Sequence, residues 1–99
     1  MKITARYPWA TWEIWTWIER IDYTSGSYVT WTSLYRPRWY NTLVGGLWNS
    51  YHLKARAADG APANGLLKDL AARARAVAPS KGQVVIEAKK GIVHLEIED

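Results

Sequence analysis

Ninety-nine residues leave room for one compact domain, spanning residues 1–99, and for no second core. The absence of cysteine excludes disulfide frameworks and Cys-based zinc sites, so a transition metal would have to be held by His with Asp or Glu. A net charge of +4 and a pI near 9.5 favour an anionic partner, whether nucleic acid, lipid headgroup or cell wall, without choosing among them.

No apolar run approaches the ~20 residues needed to cross a bilayer, and Met1-Lys2-Ile3-Thr4 is not followed by a continuous hydrophobic leader. The chain is therefore expected to be soluble and unprocessed, with no membrane insertion. Pro8 and the stretch Trp9 to Ile21 predict a first helix, with Ile14, Trp15, Ile18 and Ile21 on one side. Trp9, Trp12, Trp15 and Trp17 cannot all share one stripe, so core packing is expected for most of them and exposure for at least one. Thr24 to Ser27 reads as a turn, and Tyr28 to Thr32 as a strand with Val29 and Trp31 on one face. Pro37 to Val44 predicts a short helix stopped by Gly45-Gly46.

Pattern alone leaves Trp48 to Asp59 open between strand and helix. From Asn64, a plausible N-cap, Leu67, Leu70, Ala71, Ala74 and Val77 recur at helical spacing until Pro79. Lys68, Arg73 and Arg75 fall on the polar side of that helix, where solvation is the expected role. Gln83 to Glu98 predicts two strands. A tight turn at Lys90-Gly91 would set Ala88 opposite Val93, Glu87 opposite His94 and Ile86 opposite Leu95, with Val84, Ile86, Ala88, Val93, Leu95 and Ile97 on the core face. Glu87, His94 and Glu96 would then share the other face.

Ser50-Tyr51-His52-Leu53-Lys54-Ala55-Arg56-Ala57-Ala58-Asp59 carries the most specific pattern in the chain. It resembles the S-x-H-x-x-G-x-A-x-D motif of the zinc D-alanyl-D-alanine carboxypeptidases and L-alanyl-D-glutamate endopeptidases. These M15-like peptidases share their fold with the hedgehog signalling domain. Ser50, His52, Ala57 and Asp59 match, and Ala55 replaces the usual glycine. Thr32 to Arg36, Asn41 and Val44-Gly45-Gly46 resemble the run that precedes the motif, with Arg36 in place of the family's substrate-binding arginine. Ile92 to Glu96 resembles the strand that brings the third ligand.

The resemblance implies an α+β fold: a small, mainly antiparallel sheet with helices on one side and the zinc on the open face. It implies His52, Asp59 and His94 as zinc ligands, a count that leaves a fourth position for a water whose pKa the metal lowers toward ~7. Arg36 would stabilise an oxyanion or hold a substrate carboxylate, and Ser50, Tyr51 and Trp48 would line the substrate groove. Many relatives place an acid three residues before the second histidine, where this chain has Gly91. Glu87 and Glu96 are the candidate replacements. Glu87 is favoured because a directly paired residue has its Cβ ~4.5–5.5 Å away, whereas i and i+2 on one strand are ~6.5–7 Å apart; Glu96 could instead orient His94.

The implied reaction is zinc-dependent hydrolysis of an amide in peptidoglycan stems or cross-links, at the bacterial cell wall and compatible with phage delivery. Its partner is then a peptidoglycan peptide and not nucleic acid. A hydrolytically inactive zinc domain and a basic, Trp-rich nucleic-acid-binding module are the alternatives.

Overall fold

The computed structural model describes residues 1–98. Among them the elements run β1 (Lys2–Ile3), α1 (Trp12–Tyr23), β2 (Val29–Ser33), α2 (Arg38–Leu43), a 3₁₀ turn (Tyr51–Lys54), β3 (Ala57–Pro62), α3 (Leu67–Ala76), β4 (Gly82–Glu87), a second 3₁₀ turn (Ala88–Lys90) and β5 (Ile92–Ile97). The expected helices and strands are present. The open stretch after Trp48 divides into the first 3₁₀ turn and β3. No helix among the described residues is long and apolar enough to cross a membrane.

The five strands form one sheet in the order β1-β2-β3-β5-β4. It is mixed, which corrects the expectation of a mainly antiparallel sheet. β1 and β2 are parallel, while β2/β3, β3/β5 and β4/β5 are antiparallel. The reason is the connection: β1 reaches β2 through α1, and a strand reached through a crossover helix returns parallel. Two residues are too short to show the alternation by which a strand is recognised, so β1 left no pattern to read.

Thr11, not Pro8, starts α1, its Oγ1 accepting from Ile14 N–H at 3.4 Å. Ile14, Trp17, Ile18 and Ile21 of α1 and Leu70, Ala71 and Ala74 of α3 share one buried cluster with Val29, Trp31, Ala58, Val93, Leu95 and Ile97 of the sheet. Only Trp17 of the four N-terminal tryptophans is fully buried, its indole N–H donating to Ala74 O at 3.0 Å; Trp9 and Trp12 are exposed. Arg73 is not simply solvated. Its guanidinium donates to Ile21 O, Thr24 Oγ1 and Ser27 O, which closes the carbonyl end of α1 against α3. Asn64 does not cap α3 but accepts from Leu66 N–H, just ahead of the helix.

The β4/β5 hairpin departs from the expected register. Val85 pairs with His94, Ile86 with Val93 and Glu87 with Ile92, two residues from the tight-turn alignment. Ala88–Lys90 forms a 3₁₀ turn closed by Gly91 at φ 65°, so the connection uses more residues than a two-residue turn. An even shift keeps each paired side chain on its face, so Val84, Ile86, Val93, Leu95 and Ile97 lie on the core side as expected, whereas Ala88, expected with them, is drawn into the turn and exposed.

On the core side of β3, Gly60 lies against Trp31: a Cβ there would stand 2.7 Å from the indole ring. Gly60→Ala is expected to destabilise the fold by ~1–3 kcal/mol. The midpoint of urea unfolding measures this, and an unchanged midpoint would show that the ring gives way freely.

Candidate metal centre

The face of the sheet opposite the core carries the chemistry. Asp59 of β3 pairs directly with His94 of β5, which sets the carboxylate beside the imidazole. His52 comes from the first 3₁₀ turn, whose start is capped by Ser50: its Oγ accepts from His52 N–H at 3.2 Å. His52 O accepts from Arg36 N–H at 3.0 Å, so this turn is tied to the segment after β2.

His52 Nε2 lies 3.3 Å from Asp59 Oδ1, and His94 Nδ1 lies 2.8 Å from the same oxygen. His52 Nδ1 faces Leu34 O. A carbonyl oxygen only accepts, so Nδ1 carries a hydrogen, and Nε2 is the nitrogen turned toward Asp59. His94 is flanked by acceptors on both sides, with Glu96 Oε1 2.8 Å from Nε2. Three potential ligand atoms therefore converge, His52 Nε2, Asp59 Oδ1 and His94 Nδ1, in a group that offers one ligand atom per residue, all within 4.8 Å of one another.

The donor set fits zinc. Ligands ~2.0–2.1 Å from a tetrahedral zinc stand about 3.3 Å from each other, close to the 3.3 and 2.8 Å that separate the two imidazoles from Asp59 Oδ1. A histidine whose far nitrogen meets a carboxylate, as His94 meets Glu96, is a common arrangement around bound metal.

The second Asp59 oxygen is held apart from the imidazoles. Oδ2 accepts from Arg36 Nη2 at 3.1 Å, and Arg36 further donates from Nε to Ser33 Oγ and from Nη1 to Asn41 Oδ1. Asn41 in turn donates from Nδ2 to Leu47 O at 2.7 Å. Gly46 is required beside it, because a Cβ there would fall 2.1 Å from Asn41 Oδ1. Arg36 and Asp59 are both buried. Burial by itself would raise the Asp59 pKa, but hydrogen bonds from His52 and His94 and their charge outweigh it and hold the carboxyl well below its usual range. Burial would likewise lower His94, and the hydrogen bonds and charges of Asp59 and Glu96 overcome it and raise its pKa.

A cavity of about 510 Å³ opens onto this cluster, lined among others by Ser50, Tyr51, Glu87 and Glu96. Trp48 does not line it and is largely exposed, its carbonyl accepting from Arg38. Glu87 is not directly across from His94, because the longer turn shifts the strand by two residues; it becomes a diagonal neighbour, a relation that spans ~7–8 Å. Glu87 does face the same cavity. Ala55, in the motif's glycine position, ends the 3₁₀ turn at φ 57°. The sequence set Arg73 among solvated cations and Arg36 and Asn41 in the run before the motif, without showing that Arg73 closes the end of α1 or that Arg36, Asn41 and Leu47 form a chain behind Asp59.

A sequence model of the family described as Peptidase M15 matches residues 4–96. No curated protein and no solved structure matches the chain.

Two outcomes follow from this geometry. Left-handed backbone costs a residue with a Cβ ~1–2 kcal/mol, so Ala55→Gly is expected to stabilise the protein by about 1 kcal/mol in chemical unfolding. In chelator, the lowered Asp59 pKa contributes stability that is present above the ordinary 3.8 and lost as pH falls. The raised His94 pKa contributes stability fully present below 6.5 and lost as pH rises through the raised value. The melting temperature in chelator should therefore decline on the alkaline side, while the increment from added zinc grows as protons cease to compete for the imidazole. A metal-free melting temperature that is flat from pH 6 to 9 would contradict a proton held between Asp59 and Glu96.

Proposed function

The chain belongs to the peptidase M15 family, a family of metallopeptidases, and on that premise we propose that it hydrolyses an amide bond in the stem peptides or cross-links of peptidoglycan. Zinc would be held by His52, Asp59 and His94. The observation that carries this reading is the convergence of His52 Nε2, Asp59 Oδ1 and His94 Nδ1 beside an open cavity. When bound, zinc supplies Lewis acidity toward the amide carbonyl and lowers the pKa of the attacking water.

The remaining work falls to this chain's own side chains. Glu87 is the proton carrier. Its carboxylate faces the cavity with no partner among the described residues, so it can take a proton from water and return it to the leaving amine. Glu96 is engaged with His94 Nε2 and orients that ring. Arg36 holds Asp59 by one oxygen and presents the other to the histidines. Ser50 and Tyr51 line the wall against which a peptide would lie. The net charge of +4 draws the protein toward an anionic wall.

The zinc-loaded protein is expected to contain one zinc per chain and to release new amino groups from purified peptidoglycan, with both properties lost in His52→Ala. Glu87→Gln should keep its zinc and lose ~10²–10⁴-fold in kcat. Glu96→Gln should instead weaken zinc affinity ~10–100-fold. If zinc binds but walls of no chemotype are cut, the domain is a metal-dependent binder of cell wall or protein and not a hydrolase.

A further inference from the structure

A second cavity, of about 260 Å³, lies between β2, α2 and the β4–β5 turn and reaches the cluster at Asp59. Arg36, Asp59 and Lys90 border both cavities, so the two form arms of one cleft that meet at the cluster. The arms differ in charge. Glu87 and Glu96 lie on the first, whereas the second adds the hydroxyls of Thr32, Ser33 and Tyr40 and no further carboxylate.

Asp59, the one acid of the second arm, is already bound by Arg36 and two histidines. Arg36 is itself buried, and each of its three guanidinium nitrogens donates to Ser33, Asn41 or Asp59. Three of its five N–H groups are thus committed to the protein frame, and its geometry is fixed by them. Lys90 is the opposite case: exposed, at the end of the 3₁₀ turn, bordering both arms, with no partner among the described residues.

Building on the hydrolytic reading above, we propose that Lys90 is a specificity-determining residue that holds a substrate carboxylate in the second arm, close to the scissile amide. An ammonium on a flexible stem suits this task, because it can meet a carboxylate at varied positions without a fixed bidentate geometry. The carboxylate is either the free C-terminus of a stem peptide or that of an internal glutamate.

The test uses the full-length, zinc-loaded protein and two matched peptide pairs, one ending in a free acid or its amide, the other carrying internal D-glutamate or D-glutamine. Binding is read by calorimetry and turnover separately. Wild type should favour the acid member of one pair by about fivefold, the scale of an ion pair near the surface, and that pair identifies the carboxylate's source. Lys90→Gln should bring the ratio to about one, Lys90→Arg should restore it, and rising salt should erode it in wild type. Lys89→Gln removes the same charge from a residue that borders neither arm and should keep the wild-type ratio. A wild type indifferent to both pairs, or a Lys90→Gln protein that keeps the preference, overturns the proposal. Selective binding without cleavage of any peptide would instead count against hydrolysis while leaving Lys90 in its role.

Discussion

The buried carboxylate of Asp59 is the constraint around which this small protein is arranged. A carboxylate taken out of water is strongly unfavourable unless its oxygens find compensating partners. Here one oxygen is given to Arg36 and the other to two histidines. Each partner creates a need of its own. Arg36, buried in turn, is satisfied by Ser33 and Asn41, Asn41 by the carbonyl of Leu47, and the approach of that loop demands glycine at 46. The polar network therefore reaches from the middle of the sheet to the loop beyond α2, and each link depends on the one before it.

The two sides of the sheet divide the burden. The core side is apolar and continuous, with α1 and α3 covering it, and it closes at Gly60 against Trp31. The site side can hold charge only because the strands beneath it are fixed from behind. Within the site there is a second division. Arg36 and Glu96 are tied to Asp59 and His94 and set their orientation, while Lys90 and Glu87 stand at the cavity with no partner among the described residues. Tied groups supply preorganisation, and free ones can respond to a substrate.

Much of this was legible in the residues. His52, Asp59 and His94 stood out through the resemblance of Ser50 to Asp59 and of Ile92 to Glu96 to the family's motifs, and the core face of the paired strands survives because a two-residue slip leaves each paired side chain on the side it started from. Pairing did not survive the slip. The sequence shows Lys-Lys-Gly but not whether the turn takes two residues or a 3₁₀ loop, and that choice separates Glu87 from His94. β1 was hidden because a two-residue strand has no period. Core packing is the expectation for most of the four N-terminal tryptophans and exposure for at least one, but only the packing of Trp17 with its isoleucine neighbours is complete, and Trp9 and Trp12 lie outside. Arg73 looked like one of several surface cations, since nothing in a sequence says which carbonyls a helix end will leave unmet.

The same turn also explains the glycine where relatives carry an acid. A 3₁₀ turn entering β5 closes through a left-handed residue, and Gly91 adopts φ 65° there with open space where a side chain would project. Backbone, not crowding, fixes this glycine: any residue with a Cβ would spend ~1–2 kcal/mol on that conformation. An acid three residues before His94 and this turn are therefore in competition. Having taken the turn, the hairpin carries Glu87 at its last β4 position and Lys90 just before the closing glycine, one of each sign at the edge of the cleft. Turn length, carboxylate position and cation position are consequently one structural variable in this hairpin, and altering the first would move the other two together.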